Sequence, residues 1–182
     1  MKDKRIIICG HSGSGKDYLL KGLIKKGFEY RPKSTTRPMR KGEKNGIDYT
    51  YYNNEDFYNM LNEEKILYYQ TFIINEDKWI YFMTKEDFNN SELFIMTPYE
   101  ISNIEKMDRD SSFIIFIDIP EDIRYTRILE RNDSSDKVTR RIESDREDFN
   151  NFSDYDLRLC DSIFSIDDVY SLINHDRVRF SH

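Results

Sequence analysis

The sequence predicts an α/β fold of three layers, a central parallel sheet covered on both faces by helices, and three observations carry that reading. Apolar runs of strand length alternate with segments of helical period. The first run passes through a glycine-rich turn straight into a helix. Two polar, aromatic- or arginine-rich stretches interrupt the alternation where insertions would cover a site.

Ile6-Ile7-Ile8-Cys9 reads as a buried strand, and Tyr18-Leu19-Leu20 with Leu23-Ile24 as the helix that follows. Between them, Gly10 to Lys16 read G-H-S-G-S-G-K. Such a turn aims successive backbone N–H groups and the positive end of a helix at a polyphosphate, while the lysine adds a mobile ammonium. Gly10, Ser12, Gly13, Ser14, Gly15 and Lys16 therefore mark a nucleoside triphosphate site. The motif ordinarily continues with a Ser or Thr that holds magnesium, and here Asp17 stands in that place. Its carboxylate oxygens suit Mg²⁺, with Ser14 or water as the alternative, and His11 reads as a solvent-facing loop residue.

Further strands are expected at Leu93 to Met96, at Phe113 to Ile119 and, more weakly, at Ser162 to Ile166. Helical patterns run over about Thr84 to Asn90, Pro98 to Met107, Glu121 to Arg131 and Lys137 to Phe149. The interrupting segments are Arg31 to about Phe82 and Arg124 to Arg146.

Composition narrows the function. A chain of 182 residues suits one domain, and 38% apolar residues with 13 Tyr, 12 Phe and one Trp suffice for its core. A formal charge of −6 argues against a nucleic-acid or anionic-membrane surface. No stretch approaches the ~20 apolar residues of a membrane span, and the four after Arg5 are too few for a signal-peptide core. The expectation is an intracellular, cytoplasmic protein with small-molecule partners. Cys9 and Cys160 have no metal-ligand spacing and read as buried thiols.

Ser34 to Tyr49 read S-T-T-R-P-M-R-K-G-E-K-N-G-I-D-Y. Arg37 and Arg40, three apart, can both fork onto one phosphate, with the Ser34 and Tyr49 hydroxyls as neutral donors and Glu43 and Asp48 as carboxylates that orient the arginines. Together with the upstream loop this segment resembles guanylate kinases, which carry S-x-T-T-R-x-x-R-x-G-E-x-x-G-x-D-Y or close variants there. The resemblance extends in family order over nearly the whole chain, down to Phe152-x-x-Tyr155-Asp156 before the last strand.

The resemblance implies a P-loop nucleoside monophosphate kinase. ATP and Mg²⁺ would sit on the loop, and the ATP γ-phosphoryl group would pass to a nucleoside or deoxynucleoside monophosphate, GMP or dGMP first. It implies one domain, with core at about 1–32, 83–123 and 150–182, a small mixed NMP-binding region at about 33–82 and a helical lid at about 124–149. Lid arginines come from the pattern R-L-x-x-R and a later R-R-L. Arg127, Arg131 and Arg141 match it, Arg141 being preferred to Arg140 because it precedes Ile142, and with Lys16 they form the catalytic set. Tyr81 resembles the family tyrosine that joins Arg37, Arg40 and Tyr49 at the acceptor phosphate. The family's two guanine-binding carboxylates are absent: the corresponding stretches read Ile66-Leu67-Tyr68-Tyr69-Gln70 and Ile95-Met96-Thr97-Pro98. Tyr68, Tyr69, Gln70 and Thr97 offer neutral hydrogen bonds and stacking instead, or Glu76 enters from the loop before Tyr81. A monomer or homodimer is expected. The alternatives are a non-catalytic module that binds a phosphopeptide or nucleotide, and a kinase for a phosphorylated acceptor other than a nucleotide.

Overall fold

The computed structural model describes residues 5–74, 77–130 and 135–179. They form two compact units, one of Met1–Phe28 with Glu92–His182 and the other of Glu29–Ser91.

The first unit is built on a four-stranded, all-parallel sheet. Its strands are β1 (Arg5–Gly10), β6 (Leu93–Ile95), β7 (Ser112–Ile117) and β8 (Leu157–Leu159), in the order β6-β1-β7-β8. Ile6, Ile7, Ile8 and Cys9 are buried without alternation, as in a strand covered on both faces. Helix α1 (Lys16–Lys25) buries Leu19, Leu20 and Leu23. Its Gly22 leaves room for Ile166 at the start of α8 (Ile166–Arg179), whose Val169 and Ile173 are buried too. Helix α6 (Glu121–Leu129) meets α7 (Ser135–Asp148) through Ile128, Val138 and Ile142.

Three sequence expectations are corrected. The last strand lies at Leu157–Leu159, not at Ser162 to Ile166. Asp156 sets its register, since its amide donates to the Ile114 carbonyl and its carboxylate accepts from the Ile114 amide. Leu157 and Leu159 then alternate with Arg158, which reaches Asp118, whereas Ile163 is 86% exposed and in no strand. The pattern from Pro98 to Met107 is two helices, α4 (Pro98–Ser102) and α5 (Lys106–Asp110). Ser102 and Asn103 side chains donate to the Tyr99 carbonyl and end the first of them. Cys160 is exposed, contrary to expectation, whereas Cys9 is buried.

The second unit holds β2 (Ser34–Thr35), β3 (Thr50–Tyr51), α2 (Asn54–Asn62), β4 (Ile66–Ile74), β5 (Asp77–Thr84) and α3 (Lys85–Asn89). Sheet order is β3-β2-β5-β4, with β2 and β3 parallel and the other pairs antiparallel. Its core is Phe57, Ile66, Ile80 and Phe82. An Asn53–Asp56 capping box fixes the start of α2 and so the placement of Phe57.

Candidate active site

In the first unit the glycine-rich turn leaves β1 at Gly10 and enters α1 through Gly15, the left-handed N-cap. Lys16 Nζ donates to the Gly10 and His11 carbonyls at 2.7 and 2.8 Å, which holds the ammonium at the loop. Ser14 Oγ is fully buried and has no hydrogen-bond partner among the described residues. Asp17 is exposed in the first turn of α1.

Gly13 presses the loop onto α6. Its φ is +75°, and a Cβ there would lie 2.7 Å from the Arg124 carbonyl oxygen, which is backbone and cannot swing aside. Gly13→Ala is therefore expected to lower stability by about 1–3 kcal/mol and to loosen the loop, a shift readable in a thermal melt.

His11 is not the solvent-facing residue expected from sequence. Its side chain is 12% exposed, stacks on Phe149 at 4.2 Å and lies 3.9 Å from Asp118. Burial, and then the Arg124 charge, push its pKa below the ordinary value of 6.5, so the ring is neutral near pH 7. Arg124, only 4% exposed, donates through Nε to the Ile119 carbonyl. Asp145 on α7 accepts from the Ser12 amide at 2.7 Å and the Ser12 hydroxyl at 3.2 Å, and lies 3.7 Å from Arg124 Nη1. Sequence reasoning missed this cluster, because no local pattern links Arg124 and Asp145 to the turn at Ser12.

Arg127 Nη2 donates to the Ser162 carbonyl at 2.9 Å, and Nη1 approaches the Gly13 carbonyl at 3.5 Å. It lines a cavity of about 400 Å³ with Gly13, Gly15, Tyr18 and Phe164, whose rings meet edge to face at 5.7 Å. Such a pocket accepts a flat aromatic ring. A second, polar cavity of about 530 Å³ is lined by His11, Asp118, Glu121, Arg124, Arg146 and Arg158 among others. Arg141 is exposed on α7, whereas Arg131 lies outside the described residues, as do Glu76 and the side chain of Arg140.

In the second unit Arg37 is the centre of the candidate clamp. Nη1 and Nη2 take Glu43 in a two-pronged bond at 3.0 and 2.8 Å, Nε donates to the Tyr81 hydroxyl at 3.1 Å, and Nη1 also reaches the Pro38 carbonyl. Four of its five N–H groups are thus engaged. The Tyr49 and Tyr51 rings lie 5.5 and 5.7 Å from the guanidinium carbon. Arg37 is 3% exposed, whereas the Arg40 side chain is exposed and its amide donates to Glu43. Arg37 is therefore pre-positioned and Arg40 is the accessible cation. Tyr51, missed from sequence, donates to Glu43 at 2.7 Å, and burial with that bond pushes its pKa up to about 12. Ser34, expected in the clamp, is paired with Phe82 on the opposite sheet face from Tyr81. Its buried hydroxyl has no hydrogen-bond partner among the described residues. Asp48 accepts from the Lys44 amide and does not reach Arg37.

Arg37's hydrogen bonds hold the Glu43 carboxyl down to about 2 from its ordinary 4.5. A depressed carboxyl stabilises the fold above its unfolded pKa, and this contribution is lost as pH falls from about 4.5 through about 2. Because Glu43 is partly solvated, the effect is about 1–2 kcal/mol. Melting midpoints measured over that range should fall less steeply in Glu43→Gln than in the wild type.

The candidate base-reading residues are divided. Register pairs Gln70 with Tyr81 and Tyr68 with Met83, so Tyr68 and Gln70 share the sheet face of Tyr81. Thr97 caps α4, its Oγ1 accepting from the Glu100 amide, which commits the hydroxyl locally. Among the described residues no three His, Cys, Asp or Glu side chains gather as metal ligands, and no helix is long and apolar enough to cross a membrane.

Comparison with known proteins gives the family. The family model described as guanylate kinase matches residues 2–175. The guanylate kinase of Buchnera aphidicola subsp. Schizaphis graminum is 28% identical over 97% of this chain and 89% of its own. That of Schizosaccharomyces pombe is 39% identical over 40% of this chain and 37% of that protein. A crystal structure of guanylate kinase from Anaplasma phagocytophilum shares the fold at a TM-score of 0.67 and 18% identity, covering 98% of this chain and 88% of that one.

Proposed function

The chain belongs to the guanylate kinase family, and on that premise we propose that it transfers the γ-phosphoryl group of ATP to GMP or dGMP. The observation that carries this reading is the presence, in one chain, of two separate clusters of cationic and N–H or O–H donor groups, each of a kind that suits phosphate. One is the glycine loop with Lys16 and Arg127, and the other is the Arg37 cluster with Arg40, Tyr49 and Tyr81.

The triphosphate lies along the loop amides and the N-terminus of α1, with Lys16 beside it. The adenine ring fills the cavity of Tyr18, Arg127 and Phe164. The acceptor phosphate is held by the exposed Arg40 guanidinium, the remaining N–H of Arg37 and the hydroxyls of Tyr49 and Tyr81. Ser34, off that face, would act on the acceptor only indirectly. An acceptor phosphate oxygen is already anionic, so no general base is needed, and catalysis is positioning and neutralisation by Lys16, Arg127 and Arg141. We assign Arg131 to the same set.

Magnesium fits the donor side. Ser14 Oγ is a buried oxygen with no partner among the described residues and Asp17 is a hard carboxylate two residues beyond the Gly15 turn, so either would add an oxygen to those of phosphate and water. When bound, the ion neutralises charge on the phosphates. Gln70 and Tyr68 replace the family's carboxylates at the base. An amide offers guanine both a donor and an acceptor, at the expense of the charge-assisted bonds. We place the enzyme in the cytoplasm, as a monomer or homodimer acting on nucleotides in solution.

The test is ADP release with Mg-ATP and each common ribo- and deoxyribonucleoside monophosphate in turn. Turnover is expected with GMP and dGMP above all others. Turnover with a different base alone overturns the acceptor assignment, and none with any acceptor overturns the kinase.

A further inference from the structure

We infer that Asp145 is a built-in competitor of the donor's phosphates, a carboxylate seated on a phosphate-loop amide that a bound polyphosphate must displace. The inference rests on the reading of the loop as a triphosphate site. Val138, Ile142, Asp145 and Phe149 follow one another at four, three and four residues along α7 and the turn that ends it. That spacing is one helix face. Val138 and Ile142 pack on Ile128 of α6, and Phe149 stacks on His11. Of these four residues Asp145 alone is charged, at the place where α7 meets the loop. Its side chain is 13% exposed, and a carboxylate is left so deep only where donors hold it. The donors are the Ser12 amide at 2.7 Å and the Ser12 hydroxyl at 3.2 Å.

A loop amide has one proton. A phosphate oxygen and a carboxylate oxygen cannot both take it, and within hydrogen-bond reach of the same group the two anions also repel. The structure offers Asp145 a second seat. Arg124 Nη1 is 3.7 Å from its Oδ2, is buried and has no hydrogen-bond partner among the described residues. A small swing would move the carboxylate from Ser12 to Arg124 and open the amide to phosphate. Gly13 against the Arg124 carbonyl holds loop and α6 together, so the exchange needs no motion of either. Until it occurs, only the fraction of molecules with Asp145 off Ser12 binds the donor at full strength.

Equilibrium titrations of the wild type, Asp145→Ala and Asp145→Asn with Mg-ATP and with inorganic tripolyphosphate decide the matter. Asp145→Ala should bind both probes about tenfold more tightly, the gain expected if the seated form predominates by that ratio. Asp145→Asn should gain less, because an amide oxygen still accepts from Ser12 but carries no charge. A melt without ligand checks folding, and if the alanine variant does not fold, the asparagine variant carries the test. A merely structural role would weaken binding, so unchanged or weaker affinity in the folded variants, with the wild type binding, overturns this inference alone. Binding of neither probe by any of the three overturns the loop reading and this inference with it. Binding of tripolyphosphate without ATP overturns the adenosine assignment and leaves the Asp145 comparison decisive.

Discussion

Lys16→Ala is expected to lower kcat about a thousandfold while leaving the fold intact. Lys16 is the cation of the loop, and its Nζ donates to the Gly10 and His11 carbonyls. Those bonds hold its charge at the turn where the phosphoryl group in transfer would lie. It heads α1, whose anchorage comes from Leu19, Leu20 and Leu23, so the helix does not depend on it. Loop amides still bind the triphosphate in the variant, and the loss should fall on kcat more than on the KM for ATP. Lys16→Met, which keeps the stem, should be as inactive as the alanine variant. A loss confined to KM would mean that Lys16 only helps to bind the ground state.

Arg37→Ala should cost both stability and acceptor binding. The guanidinium is buried and bonded to the half-buried Glu43 and Tyr81, and its removal leaves the Glu43 carboxylate without its two-pronged partner. Breaking such a buried pair costs about 3–5 kcal/mol, with the lower figure apt because Glu43 keeps bonds from Tyr51 and the Arg40 amide. Arg40→Ala separates the two effects. Its exposed side chain contributes little to the fold, so its melting midpoint should stay near the wild type while acceptor affinity falls about tenfold to a hundredfold, the loss of one charge-assisted hydrogen bond. Denaturant titrations with the acceptor KM of each variant check both statements. Equal loss of stability in the two would contradict the division of labour between a pre-positioned and an accessible arginine.

The glycine-rich turn was legible because its geometry forces its residues: only glycine packs at Gly13 against the α6 backbone, and the turn joins a strand apolar on both faces to an amphipathic helix. The Arg37–Glu43 pair was legible because it closes within six residues. The last strand was misplaced because Leu157 to Leu159, two half-buried leucines around an exposed arginine, carry a weaker signal than the longer apolar run beginning five residues after Leu157. There a single carboxylate, Asp156, decides the register. The cluster of His11, Arg124 and Asp145 could not be read in advance. It forms across 133 residues of chain, from Ser12 to Asp145, and no local pattern links its members.

The central claim is that this chain moves a phosphoryl group from ATP to a guanine nucleotide with the loop and the Arg37 cluster. The most direct measurement follows ATP labelled at the γ-phosphorus, incubated with magnesium, GMP and the wild type or Lys16→Ala. The label should appear at the β position of GDP with the wild type and remain in ATP with the variant. Label that stays in ATP with the wild type, or that leaves only as inorganic phosphate, would contradict the account.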